Sequence, residues 1–188
     1  ILRDAGVKVL VVEQAFAPIV EPLAAALPDA RVIGLDFSPA GGASFAALLE
    51  SGDGSGDGRG GDVDTTSPLL IVYTSGTTGH PKGAVLRQDA LVANAAMSRH
   101  MHDMTAQDHV LTVLPLFHVG GLNIQTTPAL QLGATVTLHA RFAPDATLDA
   151  IANDKPTLTV LVPATIQAML EHPRWNETRL DSLRAVST

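Results

Sequence analysis

Short apolar runs recur along the chain, and segments with helical patterning separate them. The run Val7 to Val12 is continuous and contains β-branched residues, which predicts a strand buried on both faces, as parallel sheets require. An alanine-rich helix is predicted at about Pro18 to Leu27, with Pro22 as an expected irregularity. A second strand at Arg31 to Leu35 and a short helix at Ser44 to Leu49 complete a β-α-β-α segment over residues 1–49.

The same alternation resumes at Leu69 and continues to the last residues. Strands are predicted at 69–74, 84–86, 110–114, 134–138, 158–162 and 185–187, and helices at 88–101, 121–132, 143–153 and 164–171. This spacing predicts an α/β fold of layered, mostly parallel sheets flanked by helices.

The segment Glu50 to Pro68 interrupts this pattern. It consists mainly of Gly, Asp and Ser and has too few apolar residues to build a core. A flexible surface loop is predicted there. A calcium site is not expected, because the segment has neither the period of a β-roll nor the glutamate of an EF-hand. The chain is thus divided into a first βα segment (1–49), a Gly/Asp loop (50–68) and a second βα segment (69–188).

Composition narrows the class of protein. The chain is 46% hydrophobic and 16% charged, which is typical of a folded domain. Its net charge of −7 argues against a nucleic-acid partner or a membrane-surface binder. There is no cysteine, which excludes disulfides and thiolate catalysis and fits a reducing, cytoplasmic location. No apolar run is long enough for a transmembrane segment, and no signal peptide is recognised.

The stretch "VYTSGTTGHPKGAVL", residues 72–86, is rich in groups that could bind a ligand. Its two glycines, Gly76 and Gly79, allow positive φ and close approach of the backbone, and successive amides in such turns bind anions. Lys82 adds a mobile positive charge. Four hydroxyl side chains complete the set: Thr74, Ser75, Thr77 and Thr78. Together these groups suit a polyphosphate.

A Walker A loop is excluded by the spacing of the stretch. That motif requires Gly-Lys-[Ser/Thr], whereas two residues separate Gly79 from Lys82 and a glycine, Gly83, follows the lysine. A ligand-free Ser/Gly turn is the structural alternative, and the ordered lysine, proline and hydroxyls weigh against it.

The segment "YTSGTTGHPKG", Tyr73 to Gly83, resembles the phosphate-binding signature of the adenylate-forming enzymes. These include acyl-CoA synthetases, 4-coumarate-CoA ligases, luciferases and the adenylation domains of peptide synthetases. The resemblance extends to "ILRDAGVKVLVVE", "VLTVLPLFHVGGLN", "LGATVTLHARFAPD" and "LTVLVPATIQAMLEH". It therefore covers nearly the whole chain except the Gly/Asp loop.

The resemblance implies a ligase that uses ATP, Mg²⁺ and coenzyme A. A carboxylate attacks the α-phosphorus of ATP to give acyl-AMP and pyrophosphate, and a thiol then takes the acyl group. It implies that Lys82 is catalytic and that His80, at a variable position of the motif, has no role. The implied ATP-phosphate contacts are Thr74, Ser75, Gly76, Thr77, Thr78, Gly79 and Lys82.

Four further positions take implied roles. A histidine beside an apolar run is more often a structural residue, but by resemblance His118 lines the pocket where carboxylate and α-phosphate meet. Gly120 and Gly121 are expected to leave space beside it for the acyl chain. Arg141 matches a basic position that binds a phosphate of coenzyme A, with an ordinary surface arginine as the equally weighted alternative.

Two other groups are predicted to be structural. His100, His102 and Asp103 could suggest a metal site, but histidines at i and i+2 point in different directions, so a solvated helix end is expected. Trp175 is expected to be a packing residue that follows a helix.

Both ends of the sequence suggest a piece of a longer protein, part of an N-terminal AMP-binding domain without its C-terminal domain. The expected substrate is a fatty or aryl acid, and the isolated piece is expected to be inactive. Its expected partners are small molecules, the remainder of its own chain and a possible second copy in a homodimer. Two alternatives stay open: an amino-acid or aryl-acid adenylation domain that loads a carrier protein, and a non-catalytic phosphate-binding module.

Overall fold

The computed structural model describes residues 1–52, 63–76 and 79–188. The chain packs as two compact units. The first consists of Ile1–Asp64 with Tyr73–Ala84, and the second of Thr65–Val72 with Val85–Thr188.

The first unit contains a three-stranded parallel sheet. Its strands are β1 (Val9–Val12), β2 (Arg31–Gly34) and β3 (Ala43–Ser44), in that order. The predicted strands at the first two positions are confirmed in place. The third has only two residues, which is too short for a periodic pattern to reveal.

The helices of the first unit follow their strands as predicted. A 3₁₀ turn at Gln14–Phe16 runs into α1 (Ala17–Ala26), which contains Pro22 in its interior. Helix α2 (Phe45–Ser51) begins after Ser44, whose hydroxyl accepts a hydrogen bond from the Ala47 N–H at 3.1 Å. This is an N-cap that satisfies one of the free amides of the first turn.

A small valine core holds the first unit together. Val12 of β1, Val20 of α1 and Val32 of β2 are buried against one another, with Phe37 packed at the side. The alternation of strand and helix thus places one apolar face of the helix on the sheet.

Strands β4 (Pro68–Thr74) and β5 (Lys82–Arg87) pair as a two-stranded sheet. β5 is longer than predicted and begins at the lysine of the conspicuous loop. The predicted Gly/Asp loop is shorter than expected at both ends, because Glu50 and Ser51 complete α2 and Pro68 begins β4. Residues 53–62 of that loop lie outside the described residues.

The second unit is built on a four-stranded parallel sheet with the order β7-β6-β8-β9. The strands are β6 (His109–Thr112), β7 (Thr135–Leu138), β8 (Leu158–Val160) and β9 (Ala185–Ser187). The predicted α/β fold with parallel sheets flanked by helices is therefore confirmed.

Helices surround this sheet at the positions that the sequence predicts. They are α3 (Gln88–His102), α4 (Val119–Gly121), a π-helical segment (Leu122–Thr126), α5 (Thr127–Leu132), α6 (Pro144–Asp154) and α7 (Pro163–Leu170). The predicted helix 121–132 is thus one helical run, and its π-helical centre is not apparent in the sequence pattern. None of the helices in the described part of the chain is long and apolar enough to cross a membrane.

Apolar side chains cover both faces of the sheet. Leu111 of β6 faces a core with Leu148 and Ile151 of α6, whereas its neighbour Val110 faces a core with Ala129 of α5. The chain steps from β6 to β7 on one side and then returns to β8 on the other. Because such crossovers are right-handed, the two connections place their helices on opposite faces.

An ion pair between the buried Asp108 and the more exposed Arg184 joins elements at the amino-terminal end of this sheet. Arg184 binds both carboxylate oxygens of Asp108, with Nε–Oδ1 at 3.0 Å and Nη2–Oδ2 at 2.9 Å. The hydroxyl of Thr157 and the N–H of Thr105 also donate to this carboxylate, at 2.6 and 2.7 Å. These donors, Arg184 first, hold the pKa of Asp108 far below its usual range.

Candidate functional site

The predicted phosphate residues lie in the loop between β4 and β5. Thr74 and Ser75 are exposed at the end of β4, and Gly76 and Gly79 have φ of +61° and +79°. Two further members of the predicted set, Thr77 and Thr78, lie outside the described residues. At both glycines the backbone therefore has the left-handed conformation that glycine permits.

Gly76 is required by sterics as well as by its φ angle. A Cβ at this position would lie 2.2 Å from the carbonyl oxygen of His80, closer than any real contact. Gly79 is different, since a Cβ there would meet no atom within 4 Å. Its N–H points back to the carbonyl of Gly76 at 3.4 Å, which closes the turn.

Lys82 follows this turn as the first residue of β5. Its side chain is exposed and has no hydrogen-bond or ion-pair partner within residues 1–52, 63–76 and 79–188. A Cβ placed on Gly76 would lie 3.7 Å from Lys82 Cγ, so the lysine stem runs alongside the turn. The lysine stem thus lies next to the turn, and its ammonium group has no partner among the described residues.

Tyr73 joins the start of the loop to the N-terminal segment. Its hydroxyl donates to Asp4 Oδ2 at 2.5 Å, and this hydrogen bond raises the tyrosine pKa. Tyr73, which precedes the hydroxyl residues of the loop, is therefore held by Asp4.

His118 lies in the second unit, six residues after β6 ends at Thr112. It is the N-cap of the helical run 119–132, and its Nδ1 accepts the N–H of Gly120 at 3.0 Å. An accepting Nδ1 is unprotonated, so the neutral ring carries its proton on Nε2. The side chain is exposed, and the second nitrogen has no partner among the described residues. It can donate to an anionic or carbonyl oxygen.

The two glycines after His118 differ in surroundings. A Cβ on Gly121 would lie 2.4 and 2.6 Å from the carbonyl oxygens of Pro115 and Leu114. Because this buried glycine has no side chain, the backbone of the preceding loop can pack directly against it. A Cβ on Gly120 would lie 3.1 Å from His118 Nδ1. The backbone thus fills the space at Gly121, whereas Gly120 faces the imidazole. Their role in holding an acyl chain stays a prediction.

The π-helical segment is stabilised by side chains that bind four successive carbonyl groups. Thr126 and Thr127 hydroxyls donate to the carbonyls of residues 121 and 122, at 2.6 and 2.9 Å. From α3, Asn94 Nδ2 donates to the carbonyl of residue 123 at 2.7 Å, and Ser98 Oγ donates to that of residue 124. Helix α3 therefore fixes the helical run that begins at His118.

The expectation of a solvated helix end at His102 is wrong. His102 is the last residue of α3 and is only 6% exposed, because its side chain packs toward the end of β9. Its Nδ1 is 2.8 Å from the Ser98 carbonyl and its Nε2 is 2.7 Å from Ser187 Oγ. His100 is exposed. Trp175 packs against the core of α6 and α7, as predicted.

Arg141 follows the carboxyl end of β7 and is exposed. It has no hydrogen-bond or ion-pair partner in the part of the chain that the structure describes. His118 follows β6, the neighbouring strand. In open parallel sheets, ligands bind at this carboxyl edge, most often where the strand order reverses. The order reverses at β6 in this sheet, which points to the same edge.

The predicted residues thus fall into two groups. The loop residues belong to the first unit, and His118, Gly120, Gly121 and Arg141 belong to the second. No three His, Asp or Glu side chains gather around one point in residues 1–52, 63–76 and 79–188. These residues do not by themselves form a magnesium site, and Mg²⁺ usually reaches such proteins with the phosphates of its nucleotide.

Comparison with known proteins identifies relatives of this chain. The chain is 50% identical over 190 residues to an indoleacetate–CoA ligase of Aromatoleum aromaticum, covering all of this chain and 37% of that protein. It is 40% identical over 117 residues to a feruloyl-CoA synthase of Amycolatopsis sp., covering 62% of this chain and 24% of that one. The chain therefore spans about a third or less of the length of these curated relatives.

A solved structure extends the comparison to the fold. The ATP-bound MatB from Rhodopseudomonas palustris superposes with a TM-score of 0.81 at 27% identity, covering 98% of this chain and 35% of that one. The sequence profile of the family described as AMP-binding enzyme matches residues 1–188. The chain thus belongs to the AMP-binding enzymes, the adenylate-forming family to which its phosphate loop is similar.

Proposed function

We propose that this chain supplies the phosphate loop and part of the acyl pocket of an ATP-dependent acid–thiol ligase, an AMP-forming acyl-CoA synthetase. The observation that carries the proposal is the loop from Thr74 to Lys82, with its two left-handed glycines and a lysine that has no partner among the described residues. An exposed turn of this kind, next to a free cation, is suited to a polyphosphate.

The reaction has two balanced steps. A carboxylate oxygen attacks the α-phosphorus of ATP, the bond to the β-phosphate oxygen breaks, and pyrophosphate leaves. The thiol sulfur of coenzyme A then attacks the acyl carbonyl of acyl-AMP, and AMP leaves as the thiol loses its proton.

The loop acts on the first step. Its backbone amides, the hydroxyls of Thr74 and Ser75 and the ammonium group of Lys82 bind the β- and γ-phosphates. Charge accumulates on these oxygens as pyrophosphate departs, so contacts that are already in place stabilise the transition state. Magnesium bound to the phosphates would add further charge neutralisation, and the described residues supply no ligand set for it.

His118 acts where carboxylate and α-phosphate meet. With Nδ1 held by the Gly120 N–H, its free Nε2–H can donate to an oxygen of the carboxylate or the α-phosphate. The cap orients the ring, so the histidine positions the two reactants rather than removing a proton. Arg141 is exposed and has no partner in the part of the chain that the structure describes, so it is suited to a phosphate of coenzyme A.

The substrate that we propose is an aryl or arylalkyl carboxylic acid. The relatives that support this choice are named for indoleacetate and ferulate. Fatty acids remain in the test panel. The remaining contacts would come from the rest of a full-length protein, and location in the cytoplasm, as well as a homodimer, remains a prediction.

The test is acid-dependent exchange of labelled pyrophosphate into ATP by the full-length protein, with a panel of aryl, arylalkyl, fatty and amino acids. A second assay supplies either coenzyme A or a carrier protein with the best acid. We expect exchange with an aryl or arylalkyl acid and thioester formation with coenzyme A. Thioester only on the carrier protein would indicate an adenylation domain. ATP binding without exchange for any acid would indicate a non-catalytic phosphate-binding module.

A further inference from the structure

A chain of hydrogen bonds runs through the interior of the second unit. It begins at the carbonyl of Ser98 in α3, passes through His102 and Ser187, and ends at Gln125 in the π-helical segment. The successive distances are 2.8 Å to His102 Nδ1, 2.7 Å from Nε2 to Ser187 Oγ, and 3.2 Å from Oγ to Gln125 Nε2.

The carbonyl at one end fixes the direction of the first bond, and with a neutral imidazole the other bonds follow from it. A carbonyl only accepts, so His102 Nδ1 donates to it, and Nε2 of the neutral ring accepts the Ser187 hydroxyl proton. The oxygen of Ser187 then accepts from the amide nitrogen of Gln125. If the side-chain amide of Gln125 were rotated by 180°, its Oε1 would face Ser187 and would need the same hydroxyl proton that His102 accepts. The amide orientation with Nε2 toward Ser187 avoids this conflict.

This orientation leaves an unsatisfied acceptor. Gln125 is only 1% exposed, and its Oε1 is a buried side-chain oxygen that has no hydrogen-bond partner in the described residues. A buried carbonyl oxygen without a donor costs about 1–3 kcal/mol of desolvation free energy. Such a cost calls for a donor that the protein atoms do not provide.

The side chain of Gln125 lines a small cavity. The volume of this cavity is about 10 Å³, and Ser187 does not line it. It lies between the carboxyl ends of β6 and β8, where the strand order reverses, behind the loop that carries His118. The other lining residues that matter here are Thr112, Gly120, Gly121, Thr126 and Val160.

The cavity presents a second acceptor. Thr126 donates its proton to the Gly121 carbonyl at 2.6 Å, so the proton between Thr126 and Thr112, at 2.7 Å, comes from Thr112. Thr112 Oγ1 is thereby left with free lone pairs and no free proton. Among the polar side chains that line the cavity, Gln125 Oε1 and Thr112 Oγ1 accept no hydrogen bond, whereas Thr126 Oγ1 already accepts one from Thr112.

We propose that this cavity binds one water molecule, which donates its two protons to Gln125 Oε1 and Thr112 Oγ1. A volume of about 10 Å³ is just enough for one water and too small for any part of an aromatic or fatty acid. Two acceptors without a competing donor select a ligand with two protons to give, and water is the smallest such ligand.

The water joins two elements that flank the His118 loop. Thr112 is the last residue of β6, and Gln125 lies in the helical run that His118 caps. The water therefore restrains residues 113–118, because it joins the two elements that flank this loop. This consequence rests on the proposed function, since it concerns the placement of His118 in the acid site, whereas the water site itself does not.

A crystal structure of the full-length protein at about 1.5 Å resolution tests the proposal directly. We expect an ordered water within ~3.2 Å of both Gln125 Oε1 and Thr112 Oγ1. The variant Gln125→Met removes the acceptor at nearly the same volume and should lose this water. Gln131→Met, at an exposed glutamine in the same helical run, is the matched control and should keep it.

A second variant and an activity assay complete the test. Thr112→Val keeps the side-chain shape and removes the other acceptor, so the water should again be lost. In acid-dependent pyrophosphate exchange, we expect Gln125→Met to lower kcat/KM for the acid about 3- to 10-fold and to leave KM for ATP within twofold. A dry cavity in the unchanged protein, or a water that persists in both variants, would overturn the proposal. Exchange that fails in the unchanged protein contradicts the proposed function alone.

Discussion

The Nδ1 atom of His118 accepts a hydrogen bond from the backbone N–H of Gly120 at 3.0 Å. One nitrogen of the ring is thus used to begin a helix, and the other has no partner among the residues that the structure describes. The same side chain therefore has a structural task and a proposed chemical task, and substitutions can separate them.

His118→Asn should separate the two tasks. The asparagine oxygen can still accept the Gly120 N–H, so stability should stay within about 0.5 kcal/mol, since Asn is a favoured N-cap. The Nε2–H donor is lost, and acid-dependent pyrophosphate exchange should fall about 10- to 100-fold. His118→Ala should show the same loss of activity and cost about 1 kcal/mol more in unfolding free energy. Unchanged exchange in His118→Asn would contradict the assigned role.

Lys82→Ala should weaken ATP use without unfolding the protein. The lysine is exposed and has no hydrogen-bond or ion-pair partner in the described residues, so no polar contact among those residues is lost. A missing charge-assisted phosphate contact, worth about 1.5–3 kcal/mol, corresponds to roughly a 10- to 100-fold loss in kcat/KM for ATP. Thermal unfolding should shift by less than about 2 °C.

The matched control for the lysine is His80→Ala. This residue is also exposed in the same loop, and its side chain has no assigned contact with phosphate. Its kcat/KM for ATP should stay within about twofold of the unchanged protein. Equal losses in the two variants would show that the loop is merely sensitive to substitution, with no phosphate contact specific to Lys82.

Gly121→Ala should destabilise the second unit. A new Cβ would lie 2.4 Å from the Pro115 carbonyl oxygen, and two backbone segments would have to separate. The expected cost is about 2–3 kcal/mol of unfolding free energy, measured by urea denaturation. Gly120→Ala is the comparison: its Cβ meets the His118 side chain at 3.1 Å, which can yield, so the cost should stay below about 1 kcal/mol. Equal costs would argue against the tight approach at Gly121.

Asp108 should govern part of the acid stability. Its pKa in the folded state is far below its unfolded value, chiefly because Arg184 donates to it. The carboxylate therefore stabilises the fold above about pH 4 and loses this contribution as the pH falls further, because the unfolded state then binds the proton more tightly. Asp108→Asn should lower the unfolding free energy by about 2 kcal/mol or more at pH 7.

The check is urea denaturation at pH 7 and at several values below pH 4. The difference between Asp108→Asn and the unchanged protein should shrink as the pH falls below 4. Asp181→Asn is the matched control, since Asp181 pairs with Arg179 on the surface, where both side chains are largely exposed. It should cost less than about 1 kcal/mol at any of these pH values. A difference for Asp108→Asn that does not change with pH would show that the ion pair is not its source.

The sequence determined the order of strands and helices and the chemistry of the phosphate loop. Apolar runs such as Val7 to Val12 predict strands because a strand buried on both faces needs apolar residues at every position. Gly76 and Gly79 predict a left-handed turn because φ near +60° to +80° excludes most other residues. These are local constraints, and each is visible within a few residues of the chain.

Tertiary structure alone decided the features that depend on distant partners. His102 was expected in solvent, and it is buried because Ser187, far along the chain, supplies a hydroxyl at 2.7 Å. The π-helical segment depends on Asn94 and Ser98 of another helix, which bind carbonyls that an α-helix would pair internally. No local pattern encodes such partners. The sequence thus predicted which groups bind phosphate, whereas packing between distant segments decided that His102 is buried, that His118 is exposed, and that Gln125 Oε1 has no partner among the described residues.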